Sequence, residues 1–146
     1  MVELRNDLAS DWQQATCYLN GEWTALADAK VSVLDRGFIF GDGVYEVIAV
    51  DTVDGLRAPF RAHAHFARLQ RSLDAVRIDN PLVVEQWLDL TAEVIERNPW
   101  PRQLVYVQLT RGVAKRAVRT IDCGSVRSAR TSRVVSVRDP PASANR

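Results

Sequence analysis

Lysine is almost missing from this chain: only Lys30 and Lys115 occur among 146 residues. Any chemistry that needs an ε-amine therefore has two candidates. Cysteine is as sparse, and Cys17 and Cys123 stand too far apart for a zinc or redox spacing, so free thiols are expected. No stretch approaches the roughly 18 uninterrupted apolar residues of a membrane helix. The mixed, charged start Met1-Val2-Glu3-Leu4-Arg5-Asn6-Asp7 does not read as a secretory signal. A cytoplasmic protein with no membrane partner is the expectation. Aromatics are absent from the last thirty residues, because every Trp, Tyr and Phe lies between Trp12 and Tyr106. Such a segment can bury little apolar surface. Its charge differs as well: residues 117–146 hold six Arg and two Asp, whereas residues 1–116 hold 13 basic and 16 acidic residues. An arginine-rich tail attracts polyanions, yet it lacks the aromatics that stack on bases, so nucleic acid is not an expected partner.

What the chain does hold is concentrated between these limits. At 47% apolar, 146 residues can build the core of one domain. The densest stretch is Asp35-Arg36-Gly37-Phe38-Ile39-Phe40-Gly41-Asp42-Gly43-Val44-Tyr45-Glu46. Three glycines stand there among Phe38, Phe40 and Tyr45, residues of the kind that proteins bury. Glycine opens backbone angles closed to other residues and lets a ligand approach the main chain. The stretch reads as a short edge segment, a special turn and then a strand that lifts Tyr45 into a site. Glu46, next along the strand, faces the opposite side. Asp42 reads as a turn-stabilising carboxylate.

Local signals divide the rest. Asn20-Gly21 and Asp54-Gly55 are hairpin dipeptides between apolar runs. Ala29–Leu34 has the composition to continue the sheet. From His63 to Val76 the spacing is helical, with Phe66, Leu69, Leu73 and Val76 on one face. Arg68 borders that face beside His65, while Arg71 points into solvent. Asp79-Asn80-Pro81 resembles a helix start, and Val84, Trp87, Leu88, Thr91 and Ile95 form the stripe of the helix that follows. Asn98-Pro99-Trp100-Pro101 stops it. Leu104–Leu109 is a buried-type strand, and Val134–Val137 is a candidate short one. The architecture expected is α+β, a mostly antiparallel sheet with two helices on one side. His63 and His65 lie two apart on a helix, where side chains diverge, and have no ligand-spaced partner, so no metal site is expected.

Tyr18-Leu19-Asn20-Gly21, Asp35-Arg36-Gly37 with Phe40–Glu46, His65-Phe66-Ala67-Arg68-Leu69 and Gln108-Leu109-Thr110-Arg111-Gly112 occur in an order that resembles the class IV aminotransferases. These are the pyridoxal-phosphate enzymes of fold type IV, and the D-amino-acid transaminases are the most similar subgroup. The resemblance covers about Tyr18 to Arg116. It implies that residues 1–116 form the small N-terminal domain, with 117–146 a basic tail of uncertain structure. It implies pyridoxal 5′-phosphate as cofactor, an amino acid and a 2-oxo acid as substrates, and a homodimer in the full-length family. Carried over by motif, Arg68 is the cation for the cofactor phosphate, and Tyr45 and Arg116 contact the substrate carboxylate. In the D-amino-acid subgroup an Arg-x-His follows the Thr-Arg-Gly strand; Val118 stands where that His falls, and Lys115 where proline is common.

The resemblance also exposes a gap. The Schiff-base lysine of the family lies in a second domain, and neither Lys30 nor Lys115 matches it. No catalytic residue is therefore assigned. The expectation is a truncated or frameshifted family member, inactive alone. Aminodeoxychorismate lyase and branched-chain aminotransferase share the fold and stay open as alternatives. So does a non-catalytic half-domain that serves as a binding or assembly piece.

Overall fold

A computed structural model describes residues 15–114 and the backbone of residues 132–138. Two tight hairpins open and flank the sheet. Strand β1 (Thr16–Leu19) turns at Asn20 and Gly21, with φ of 54° and 107°, into β2 (Glu22–Ala25). Strand β3 (Gly43–Val53) turns at Asp54 and Gly55, again both at positive φ, into β4 (Leu56–Pro59). Two consecutive left-handed residues match the right-handed twist of the strands they join.

Helix α2 (Ala62–Val76) follows a short helix α1 (Arg36–Phe40), and α3 (Val84–Glu96) follows α2. Strand β5 (Gln103–Thr110) then pairs with β3 over eight residues, from Gly43 opposite Thr110 to Val50 opposite Gln103. Strand β6 (Ser132–Arg138) lies between β5 and β1, with Val135 opposite both Val107 and Tyr18. The sheet order is β2-β1-β6-β5-β3-β4, and every pairing is antiparallel. Thus β6 falls inside the stretch that composition reads as a tail, yet it occupies the middle of the sheet.

The helices cover one face, with α2 on β3 and α3 against β5, β6 and β1. Ile48 and Val50 of β3 and Val105, Val107 and Leu109 of β5 point into the same core as Phe66, Leu69 and Trp87. The rings of Phe66 and Trp87 stack at 5.7 Å. Removing a buried ring of this kind costs about 3–5 kcal/mol. Buried Asn98 ties the layers, accepting from Thr16 N and donating to the Thr16 and Val94 carbonyls.

Five expectations need correction. Arg36–Phe40 is a helix rather than an edge segment, so the described residues hold three α-helices. Asp35 Oδ1 accepts from Gly37 N at 2.8 Å, which caps the helix, and Gly41 at φ 66° ends it. Ala29–Leu34 does not continue the sheet: Ser32 Oγ accepts from Leu34 N and its carbonyl from Asp35 N, bonds that bend the chain instead. The helix expected from Asp79-Asn80-Pro81 begins only at Val84, because Asn80 Oδ1 accepts from Leu82 N and Trp87 Nε1 and holds a turn ahead of it. Phe38, Phe40 and Tyr45 are exposed rather than buried, and Val76 has left the buried stripe of its helix.

Candidate active site

Two carboxylates frame the start of β3. Asp42 lies in the turn just ahead of the strand. Its Oδ2 accepts from Arg36 Nε at 2.7 Å and Arg111 Nε at 2.9 Å. Arg111 also donates Nη1 to the Arg77 carbonyl and Nη2 to the Val76 carbonyl, closing the C-terminus of α2. Burial pushes the Asp42 carboxyl up, but the hydrogen bonds and charges of Arg111 and Arg36 outweigh it and hold it below the usual range. The turn-stabilising role expected of Asp42 is what this geometry performs. Gly43 closes the turn against β5; a Cβ there would sit 2.6 Å from the Leu109 carbonyl.

Glu46 is the second carboxylate. Alternation along β3 places it with Ile48 and Val50 on the helix-covered face, opposite Tyr45 as expected. Its side chain is only 3% exposed. Arg68 grips it side-on from α2, Nε to Oε1 and Nη2 to Oε2, both at 2.6 Å. His65 Nδ1 lies 2.8 Å from the same Oε2. Desolvation raises the Glu46 carboxyl, and the bonds and charges of Arg68 and His65 lower it further than that, leaving it depressed. The Arg68 guanidinium is pushed up by its hydrogen bond to Glu46. Arg68, not Arg71, is the helix arginine that reaches the sheet. Even so, its side chain is 58% exposed, and Nη1 donates to nothing among the described residues.

Tyr45 lies on the open face of the sheet, stacked on Tyr106 at 5.6 Å with its ring exposed. The structure therefore sets Arg68 and Tyr45 at one end of β3 but on opposite faces. Arg116, Lys115 and Val118 lie outside the described residues. Lys30 takes no part in the Glu46 cluster. Cys17 is buried, and burial raises its thiol. Among the described residues no group of three or more His, Cys, Asp or Glu can hold a metal ion, and no helix is long and apolar enough to cross a membrane. An open groove of about 800 Å³ between the end of α2 and the start of α3 shares no residue with the cluster.

Sequence reading passed over Glu46, taken only as the residue behind Tyr45, and over the clamping role of Arg111. The signal for Glu46 was present. Strand alternation puts it on a buried face, and a buried carboxylate requires a cation, which Arg68 on the facing helix supplies.

Arg68 fits a phosphate by its donor chemistry. A guanidinium offers planar, multi-donor recognition, and here one edge is fixed while Nη1 donates to nothing among the described residues. The amine that a pyridoxal cofactor also needs has no candidate beside it among the described residues. The fold is that of the small N-terminal domain of fold type IV enzymes. The Amino-transferase class IV family model matches residues 43–145, so the chain belongs to the class IV aminotransferases. The match continues past Arg116, where the motif resemblance ends, and runs through β6. By sequence the chain is similar to the D-alanine aminotransferase of Staphylococcus aureus (strain MSSA476), 38% identical over 99 residues, 68% of this chain and 34% of the relative. By structure it resembles the branched-chain amino acid aminotransferase of Escherichia coli, with a TM-score of 0.78, 20% identity, and coverage of 89% of this chain and 41% of the other. It also resembles the branched-chain amino acid aminotransferase of Thermoproteus uzoniensis, solved with norvaline, with a TM-score of 0.70, 22% identity, and coverage of 84% and 40%. The chain thus spans about a third of the length of the curated relatives it matches.

Proposed function

We propose that this chain forms the phosphate-binding and substrate-facing half of a pyridoxal-phosphate site in a D-amino-acid-transaminase-like enzyme. The observation that carries the reading is the exposed Arg68 guanidinium, held at a strand end by a buried carboxylate and left with a donor to spare. In this reading Arg68 binds the cofactor phosphate. Tyr45, on the open face, donates its hydroxyl to the substrate carboxylate, and Arg116 adds a second cation for it. When bound, the cofactor supplies an electron sink for the negative charge that develops at the substrate α-carbon. The reaction is transfer of an amino group between an amino acid and a 2-oxo acid, in the cytoplasm, by a homodimer. The Schiff-base lysine is neither Lys30 nor Lys115, so the amine has to come from outside these 146 residues.

The deciding experiment is a transamination assay with D-alanine and 2-oxoglutarate on the purified 146-residue chain, with pyridoxal phosphate present and borohydride reduction afterwards. No turnover and no reduced adduct on either lysine is expected. Turnover with an adduct on Lys30 or Lys115 would overturn the half-site reading.

A second reading has its own support. Phe38, Phe40, Tyr45 and Val47 are exposed, the last two on the sheet face opposite α2 and α3. An apolar surface of that kind suits a half-domain that serves in assembly. Concentration-dependent association without any affinity for the cofactor would favour it.

A further inference from the structure

Glu46 takes no part in the proposed chemistry, yet it is the most buried member of the cluster. Both of its oxygens are engaged, Oε1 by Arg68 Nε and Oε2 by Arg68 Nη2 and His65 Nδ1. A carboxylate this buried needs partners on both oxygens, and it cannot follow an exposed cation outward into solvent. Its side-on grip takes one edge of the guanidinium and fixes the plane of the group. His65 Nδ1 also lies 3.2 Å from Arg68 Nη2. A nitrogen 2.8 Å from a carboxylate oxygen carries its proton toward that oxygen, so His65 donates to Glu46 and braces it. Arg68 has then surrendered its rotamer freedom before a ligand arrives, while its side chain stays mostly exposed and Nη1 donates to nothing among the described residues. Freedom lost in advance is not lost again on binding.

We propose that Glu46 is a positioning residue: it aims Arg68 so that Nη1 meets the cofactor phosphate, with His65 bracing it. This rests on the reading of Arg68 as the phosphate cation. A carboxylate that competed with phosphate for the guanidinium would act with the opposite sign. The geometry favours aiming, because the grip leaves Nη1 untouched.

The test uses the full 146-residue chain and two probes, pyridoxamine 5′-phosphate and pyridoxamine, whose difference is the phosphate alone. Neither carries an aldehyde that could react with surface amines. Dissociation constants come from NMR chemical-shift titrations, with thermal midpoints recorded alongside. The wild-type chain should prefer the phosphorylated probe, and Arg68→Met should abolish that preference. Glu46→Gln should weaken the phosphorylated probe roughly tenfold, the size seen for outer-shell partners of ligands elsewhere, and leave pyridoxamine unchanged. His65→Phe removes the brace without touching either charge and should weaken the same probe by a smaller factor; it also serves if Glu46→Gln fails to fold. Preference kept or strengthened in the Glu46 and His65 variants, but lost in Arg68→Met, overturns the positioning role and leaves the phosphate-cation reading standing. No preference in the wild-type chain, or one that survives Arg68→Met, defeats that reading and the proposal with it.

Discussion

Asp42 and Glu46 stand at the start of the same strand, and each is held by two basic side chains. Around Asp42 both cations are largely buried. Arg36 gives Nε to the carboxylate and lies over the Phe40 ring at 4.9 Å, while Arg111 uses Nε on Asp42 and its two terminal nitrogens on helix carbonyls. Around Glu46 the carboxylate is more deeply buried, yet its arginine is mostly exposed and keeps a terminal nitrogen unpaired among the described residues. The first cluster closes a turn and a helix end. The second leaves its cation mostly exposed. How far an arginine stays in solvent, rather than the presence of an ion pair, separates these arginines: Arg36 and Arg111 are largely buried and Arg68 is mostly exposed.

The sharpest way to break this comparison is Arg111→Met. It strips Asp42 of one partner and uncovers the Val76 and Arg77 carbonyls. Leaving a largely buried carboxylate short of its cation costs about 3 kcal/mol, read as a fall in the urea midpoint at unchanged m-value. Arg68→Met should lower stability less than Arg111→Met, because the lost side chain is mostly solvated and His65 still reaches Glu46. Equal losses in the two variants would erase the distinction drawn here.

Gly43 lies between the two carboxylates and tests whether they depend on one backbone path. Its missing Cβ would meet the Leu109 carbonyl at 2.6 Å, a backbone atom that cannot swing aside. Gly43→Ala should cost about 1–3 kcal/mol through overpacking and should disturb both clusters together. Loss of the Arg68 Nε resonance in NMR would report the second of them.

How much of this was legible depended on how local each signal was. Asn20-Gly21 and Asp54-Gly55 announced their hairpins because two residues decide such a turn. The Phe66–Leu69–Leu73 stripe gave α2, and Val134–Val137 gave β6 despite its aromatic-free setting, since a run of β-branched residues suffices for a paired strand. Helix α1 escaped because five residues show no periodicity; only Asp35 as cap and Gly41 as stop marked it. Pro81 suggested a helix start, but Asn80 used its side chain on Trp87 and Leu82, a contact between segments that spacing does not encode. The inward reach of Arg68 was legible from its helix face. The Glu46 grip was deducible but needed two elements considered together. The Arg111 clamp joins β5 to the end of α2, and nothing short of the fold reveals it.

Acid gives a smaller, graded separation. Both carboxyls are depressed in the folded chain, so each contributes stability that is present above the ordinary carboxylate value of about 4 and is lost as pH falls through the lower folded value. The urea midpoint should therefore hold from pH 7 to about pH 5 and decline below it. Arg111→Met should reduce the Asp42 share of that decline, since Arg36 remains, and Arg68→Met should remove much of the Glu46 share. A midpoint that rose on acidification would contradict both assignments.

The smallest effect expected is at Gly41, and it isolates geometry from charge. Gly41 ends α1 at φ 66° with open space where a Cβ would stand. Gly41→Ala therefore costs only what the left-handed backbone demands of a side chain, about 1 kcal/mol. Neither carboxylate cluster should change, because nothing is pushed toward Asp42 or Glu46. If Gly41→Ala weakened phosphate-probe binding as much as Glu46→Gln, the turn rather than the carboxylate would be what aims Arg68, and the contrast between the two clusters would collapse into one shared loop.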